Sequence, residues 1–340
     1  MSVLVTGATG FIAQHIVDAL LKENYNVIGT ARSQAKADNL LASFNSPNLS
    51  MEIVSDISDL NAFDDIFKAH ANKIKYVLHT ASPFHFNTTD YSKDLFIPAK
   101  NGTLGILQSI KKYAPQTVER VVVTSSQAAT LDFTAPPSSK TVYTEKSWNP
   151  ANEETKQMNA IMAYCTSKKI AEKAAWDFYN ENKSQLKFKL SIVNPVFVFG
   201  PQLFDSSVSA TLNTSCEVIN QVLKTTPKDQ LKKDVMGEFI DVRDVARAHL
   251  DAFTKEETIE KRLLMNNGLF SEITIGNIIN NDFPQYKGKI APVADDTDLQ
   301  NDIAPYKCDN SVTKQILGWE FTSLQKSVDD TVAQILKMSK

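Results

Sequence analysis

Six short runs dominated by Val, Ile and Leu, each ending in small or polar residues, recur through the first 195 residues: SVLVTG (2–7), YNVIGTA (25–31), MEIVSD (51–56), KYVLHTAS (75–82), ERVVVTSS (119–126) and FKLSIVNP (188–195). Between them, FIAQHIVDALLKE (11–23), QAKADNLLASF (34–44), NAFDDIFKAHA (61–71) and a stretch from about Tyr91 to Tyr113 carry apolar residues at helical spacing. Strands apolar on both faces, alternating with amphipathic helices, predict a parallel sheet covered by helices on both sides. The expected fold is therefore α/β, a Rossmann-type doubly wound parallel sheet. Its right-handed crossovers put ligands at the carboxyl ends of the strands, where the strand order reverses.

After Gly200-Pro201 this rhythm breaks. A helix is expected near CEVINQVLK (216–224), a strand and helix in EFIDVRDVARAHLDAF (238–253), and a last helix in SLQKSVDDTVAQILKM (323–338), with an irregular region containing Pro284, Pro292 and Pro305 before it. The expected division is a cofactor-binding Rossmann domain over 1–200, to which 238–262 returns. Residues 201–237 and 263–340 then form most of a smaller, discontinuous substrate lobe over the sheet's carboxyl edge.

Several function classes are disfavoured by the composition. Lys and Arg are scattered and the formal charge is −3, so no nucleic-acid partner is expected. Cys165, Cys216 and Cys308 are too few and too spread for a disulfide framework. The histidines, His15, His70, His79, His85 and His249, show no metal-ligand spacing, so no metal is expected. No run reaches the 18 or so apolar residues of a membrane helix, and MSVLVTGATGF enters a strand with no basic-then-apolar leader. A cytoplasmic protein, monomeric or homodimeric, without a membrane partner is the expectation.

The first turn carries the first chemical signal. In VTGATGFIA, Gly7, Gly10 and Ala13 follow the first strand and open the first helix at the G-x-x-G-x-x-A spacing of a dinucleotide fingerprint. Gly7 permits the tight turn, Gly10 lets the backbone approach a pyrophosphate, and Ala13 lets helix and sheet pack closely. Free amides at the positive helix end would meet the phosphates, and Gly7, Ala8, Thr9, Gly10, Phe11 and Ile12 are the expected cofactor contacts of this turn. Glycine also serves βα turns for structural reasons alone; its place after the first of six strands gives it weight here. Nineteen residues beyond Ala13, where NAD enzymes place an acid for the ribose hydroxyls, stands Arg32, with Lys36 one turn on. These cations predict NADP(H) through its 2′-phosphate, against the alternative of a solvated basic helix start. Asp56 and Ile57 are placed to flank the adenine, and Thr80 and Ala81, after the fourth strand, to line the middle of the cofactor.

The second signal is a trio. Ser125 and Ser126 end the fifth strand, and Tyr164 and Lys168 stand four apart in MNAIMAYCTSKKIAEKAAWDF (158–178), so they share a helix face. Carbonyl reduction needs this arrangement. As hydride leaves C4 of the nicotinamide, charge builds on the carbonyl oxygen, which requires a proton, from Tyr164, and a second donor, Ser126. The charge of Lys168, reinforced by oxidised nicotinamide, is expected to lower the Tyr164 pKa, and Lys168 also suits the nicotinamide ribose. Phe84, Phe86, Phe133 and Phe197 could wall an apolar pocket or equally belong to the core.

Taken together, TGATGFIAQHIV, ARSQAKADNL, HTASPF, VVVTSS, AYCTSKKIAEKAAW, NPVFVFGPQ, LNTSCE and FIDVRDVARAHL resemble the extended short-chain dehydrogenase/reductase superfamily nearly end to end. Within it they are most similar to the dihydroflavonol-reductase-like branch, and there to the NADPH-dependent methylglyoxal (3-methylbutanal) reductases of yeasts. The resemblance implies catalytic Ser126, Tyr164 and Lys168, and cofactor contacts from residues 7–12, Arg32, Lys36, Asp56 and Ile57, with further contacts at Pro195, Val198 and Ser215. It implies NADPH-dependent reduction of small-molecule aldehydes and ketones, reversible as an alcohol dehydrogenase. Gln127 departs from it, standing where an aromatic residue is expected beside the catalytic serine, and so bears on substrate choice. Two alternatives stay open. One is a nucleotide-sugar epimerase or dehydratase, although no VYG follows the serines and no acidic pair occupies the positions after Ser126. The other is a non-catalytic NADP(H)-sensing regulator, which would not need the tyrosine-lysine pair.

Overall fold

The computed structural model describes residues 1–82, 88, 90–156, 158–232, 234–293 and 306–338. In chain order, the strands are β1 Ser2–Thr6, β2 Asn26–Ala31, β3 Leu49–Ile53, β4 Ile74–His79, β5 Arg120–Thr124, β6 Val142–Thr144, β7 Lys189–Pro195, β8 Phe197–Phe199, β9 Gly237–Asp241, β10 Arg262–Met265, β11 Leu269–Phe270 and β12 Lys307–Asp309. The helices are α1 Phe11–Lys22, α2 Gln34–Phe44, α3 Asp64–His70, α4 Ile97–Tyr113, α5 Ala160–Asn182, α6 Thr214–Lys224, α7 Val242–Thr254, α8 Glu272–Asp282, α9 Ser311–Leu317 and α10 Leu324–Met338.

Seven strands form one sheet in the order β10-β7-β5-β4-β1-β2-β3, every neighbouring pair parallel. All six strands expected from the apolar runs take part, and the doubly wound fold is as predicted. The order reverses between β1 and β4, whose ends are paired through Thr6 and His79. The carboxyl edge there is the switch point of this fold, the place where ligands collect. One face of the sheet packs α1 and α7 through Ile16, Val17, Leu20, Val242 and Val245; the other buries Ile106, Leu107, Ile110, Ala175 and Tyr179 of α4 and α5.

The second half of the chain contributes to both parts. The strand in EFID, now β9, does not enter the large sheet; it lies between β8 and β11 in a three-stranded sheet. The helix after it, α7, returns to the large sheet, and β10 completes that sheet beside β7. Phe199, Phe239 and Phe270 of the small sheet pack with Ile219, Ile273 and Val328 of α6, α8 and α10 in a separate core. A last parallel pair, β6 with β12, joins the segment after β5 to the C-terminal region.

Candidate active site

The turn after β1 has the form a dinucleotide cradle requires. Gly7 has φ +64, and a Cβ there would meet the Ala81 backbone at 3.1 Å, so only glycine suits both the conformation and the approach. Thr30 braces the turn, its hydroxyl accepting from Gly7 N at 3.0 Å and its carbonyl from Ala8 N at 2.9 Å. Gly10 caps α1 without a side-chain bond. The first amides of the helix therefore have neither an intrahelical acceptor nor a capping side chain, which is the donor set that suits a pyrophosphate.

The wall of this cleft is tied to it through β4. The Thr6 hydroxyl accepts from the Thr80 and Ala81 amides, both at 3.1 Å, and bonds His79 Nδ1 at 2.9 Å. Burial, then the charge of Lys168, pushes His79 down to about 4, so the imidazole is a neutral brace between strands. Past β2, Arg32 and Lys36 are both exposed. The Asp56 carboxyl is held below its ordinary range, chiefly by Ser58 and also by the Arg32 charge, so these two residues from successive strand ends lie on one side of the cleft. Ile57 is buried against Gly102, with its backbone beside that side. On the opposite side, Val198 N donates to Ser215 Oγ at 3.3 Å, which joins β8 to the start of α6.

The trio converges at the carboxyl edge of β5. Ser126 caps a short turn by accepting from Ala128 N at 3.2 Å, and its hydroxyl lies 3.5 Å from the Pro195 carbonyl. Asn159 caps α5 by accepting from Met162 N at 2.9 Å, which starts the helix just before the tyrosine. The side chains of Ser126 and Tyr164 are hydrogen-bonded to each other. Lys168 Nζ donates to Ser82 Oγ at 2.7 Å and lies 5.4 Å from the centroid of the Tyr164 ring.

The Tyr164 phenol is pushed up by burial, with the Ser126 bond opposing. This direction is opposite to the one expected from the charge of Lys168. Burial dominates, with the neighbouring Cys165 adding to it, and the same burial pushes Lys168, whose ammonium sits over the ring face, down to about 8.

Four residues not anticipated in the sequence hold these elements in place. Glu172, one turn beyond Lys168 and fully buried, accepts from Ser125 Oγ at 2.6 Å, Asn194 Nδ2 at 2.7 Å and Arg262 Nε at 2.6 Å. Asn194 also donates to the Ser126 carbonyl at 3.1 Å. Ser125 is thus turned into the core, and Ser126 alone of the two serines faces Tyr164. Glu172 stands at i+8 from the tyrosine on a helix read as amphipathic, a spacing that could have flagged it. The fourth residue, Glu238 on β9, lines the cavity and accepts from Gln127, the neighbour of Ser126.

That cavity, of about 700 Å³, opens beside Ser126 and Tyr164 and is lined mainly by apolar groups such as Leu131, Phe133, Val196, Phe197 and Met236. Gln127 lines it too, and Phe133 and Phe197 are at once wall and partly exposed rim. Phe84 and Phe86 lie outside the described residues. Cys165 also lines it, its thiol pushed up to about 12 by burial and so unsuited to act as a nucleophile. Among the described residues no cluster of His, Cys, Asp and Glu is arranged to hold a metal ion, and no helix is long and apolar enough to cross a membrane.

A doubly wound sheet with a glycine cradle at its switch point and a Ser-Tyr-Lys group at the edge of β5 defines a dinucleotide-dependent protein. Residues 3–268 match the NAD dependent epimerase/dehydratase family, and the chain belongs to it. It is 52% identical to the NADPH-dependent methylglyoxal reductase GRE2 of Saccharomyces cerevisiae over 338 residues, 99% of this chain and 98% of that protein. It is 45% identical to the putative NADPH-dependent methylglyoxal reductase GRP2 of Candida albicans, covering 98% of each. Among solved structures, it superposes with a TM-score of 0.95 on yeast methylglyoxal/isovaleraldehyde reductase Gre2 complexed with NADPH, covering 100% of this chain and 99% of that one.

Proposed function

We propose that the protein is an NADPH-dependent reductase of aldehydes and ketones, running in reverse as an alcohol dehydrogenase. The observation that carries this reading is the hydrogen-bonded pair of Ser126 and Tyr164 hydroxyls, with Lys168 over the tyrosine ring, at the mouth of a largely apolar cavity. When bound, NADPH supplies the hydride from its nicotinamide. The turn of residues 7–12 cradles its pyrophosphate, with the uncapped amides of Phe11 and Ile12 at the start of α1 as the donors; Arg32 and Lys36 take the 2′-phosphate. Asp56 and Ile57 flank the adenine, and Thr80, Ala81, Pro195, Val198 and Ser215 complete its cleft; Ser125, expected there, is instead held in the core by Glu172. Gln127 and Phe197 belong to the substrate side.

The chain's own work is on the oxygen. Ser126 and Tyr164 both donate to the substrate carbonyl, so charge that develops there meets two prepositioned donors. Tyr164 then releases its proton to the oxygen, and the Lys168 ammonium stabilises the phenolate left behind. Burial suits this direction of reaction, because it keeps the phenol protonated until the oxygen calls for the proton. The turn after Ser126 carries Gln127, Ala128 and Ala129, with no acid for dehydration, and the predominantly apolar cavity wall offers little to a nucleotide sugar. On this reading residues 1–196 with α7 and β10 form the cofactor half, shifting the expected bounds because β8 and β9 belong to the small sheet, and most of the remaining chain forms the substrate lobe, in a cytoplasmic enzyme. A panel of small aldehydes, α-dicarbonyls and aryl ketones, followed by NADPH absorbance, tests it. Carbonyl-dependent oxidation of NADPH is expected, and its absence across the panel would refute the reading.

A further inference from the structure

The wall of the cavity is mainly apolar, and among its polar residues Gln127 is the one next to Ser126 in the chain. Gln127 and Glu238, both about 95% buried, meet side chain to side chain, the Gln127 Nε2 donating to Glu238 Oε2. Glu238 is a saturated carboxylate: Asn266 Nδ2 donates to its Oε1 at 2.6 Å, and the side chains of Tyr306 and Cys308 bond to it as well. Asn266 has only its nitrogen to give, because its Oδ1 already accepts from Gly268 N at 2.9 Å. Burial pushes the Glu238 carboxyl up, and the Gln127 and Asn266 amide nitrogens, which can only donate, oppose that shift and favour the ionised form.

This fixes the Gln127 amide. A charge-assisted bond is about twice as strong as a neutral one, so the nitrogen stays on Glu238, with Cys308 as its second neighbour. What the amide has left is its carbonyl oxygen. Gln127 lines the cavity, and among the described residues no hydrogen bond places a donor on its Oε1. An acceptor held in one orientation by a buried carboxylate thus stands on the residue next to Ser126 in a mainly apolar wall. Such an acceptor is satisfied by a ligand that brings a donor, and is left unpaired by one that brings a methyl group.

We propose that Gln127, oriented by Glu238, makes this site selective for carbonyl compounds that carry a hydroxyl group close to the reacting carbonyl. The proposal rests on the reductase reading above. A fixed acceptor discriminates where a freely turning amide would not, because an amide able to flip would serve a hydroxyl, a second carbonyl or a water equally. The selectivity belongs to the pair: Gln127 makes the contact, and Glu238, which lies behind it, acts as a positioning residue.

Matched ketones that exchange hydroxyl for methyl test it: hydroxyacetone against butanone, and α-hydroxyacetophenone against propiophenone. The readout is the ratio of kcat/KM within each pair, which does not depend on how much of a preparation is active. In the wild-type protein at least one pair is expected to favour the hydroxy ketone by about three- to tenfold more than Gln127→Met does, the worth of one neutral hydrogen bond. Dividing by the variant's ratio removes the intrinsic reactivity of the two ketones. Glu238→Gln, which keeps the volume and removes the charge, is expected to lower the ratio as well, and it stands in if Gln127→Met does not fold. Ratios equal in wild type and variants, or a wild-type ratio at or below one in both pairs, would overturn the proposal. Failure of all four ketones to oxidise NADPH would instead refute the reductase reading.

Discussion

Lys168 sits over the face of the Tyr164 ring, its ammonium 5.4 Å from the ring centroid and bonded to Ser82 Oγ rather than drawn away to a carboxylate. Its charge therefore faces the phenol that must lose a proton, and its hydrogen-bonding capacity is directed toward the strand end beyond β4. A lysine pushed down to about 8 by burial loses that charge within the working range of pH. Since the Tyr164 phenol is pushed the other way, the lysine is the group that titrates first as pH rises. kcat/KM for NADPH in the reduction direction reports the free enzyme, and it is expected to be flat below about 8 and to fall above it. Lys168→Arg should remove this alkaline limb, because a guanidinium does not deprotonate there. An unchanged limb in that variant would assign it to another group.

Tyr164→Phe removes the proton donor and keeps the ring under Lys168. The expected result is a fall in kcat of at least ~10²-fold with NADPH affinity nearly kept, the usual scale of acid catalysis. Steady-state kinetics paired with NADPH titration by fluorescence separates the two. Turnover near that of the wild type would remove Tyr164 from the reaction.

Arg32→Ala tests the phosphorylated cofactor. A charge-assisted contact is worth about 1.5–3 kcal/mol, and NADH has no phosphate to receive it, so KM for NADPH should rise by about 10-fold or more while that for NADH scarcely changes. Raised salt should reproduce part of the loss in the wild-type protein, since Arg32 and Lys36 are both exposed. Equal losses for the two cofactors would place Arg32 in the support of the fold or the adenine side.

Glu172→Ala leaves Arg262, 8% exposed at its side chain, without its carboxylate, and frees Ser125 and Asn194. Breaking a buried pair from one side costs about 3–5 kcal/mol. Chemical denaturation should show that loss, and adding Arg262→Leu should recover part of it. Two losses that simply add would mean that the pair is not coupled.

The sheet, its order of helices and the cradle were legible in the chain because they depend on local pattern. A run such as VLVTG buries both faces only in a parallel sheet, and Gly7 at φ +64 is dictated by backbone sterics that a single residue type reveals. Tyr164 and Lys168 were legible for a similar reason, since spacing along one helix fixes their common face. The fate of EFID was not, because a strand this short fits either sheet, and only the packing of Phe239 with Phe199 and Phe270 decides between them. Nor was the direction of the Tyr164 pKa, which depends on how much protein surrounds the ring. The pairings of Ser125 with Glu172 and of Gln127 with Glu238 span 47 and 111 residues. Each joins polar side chains that, read along the chain, look like surface or strand-end residues. Folding brings them into the interior, where a polar group must find a partner, and the partner available is set by the tertiary structure alone.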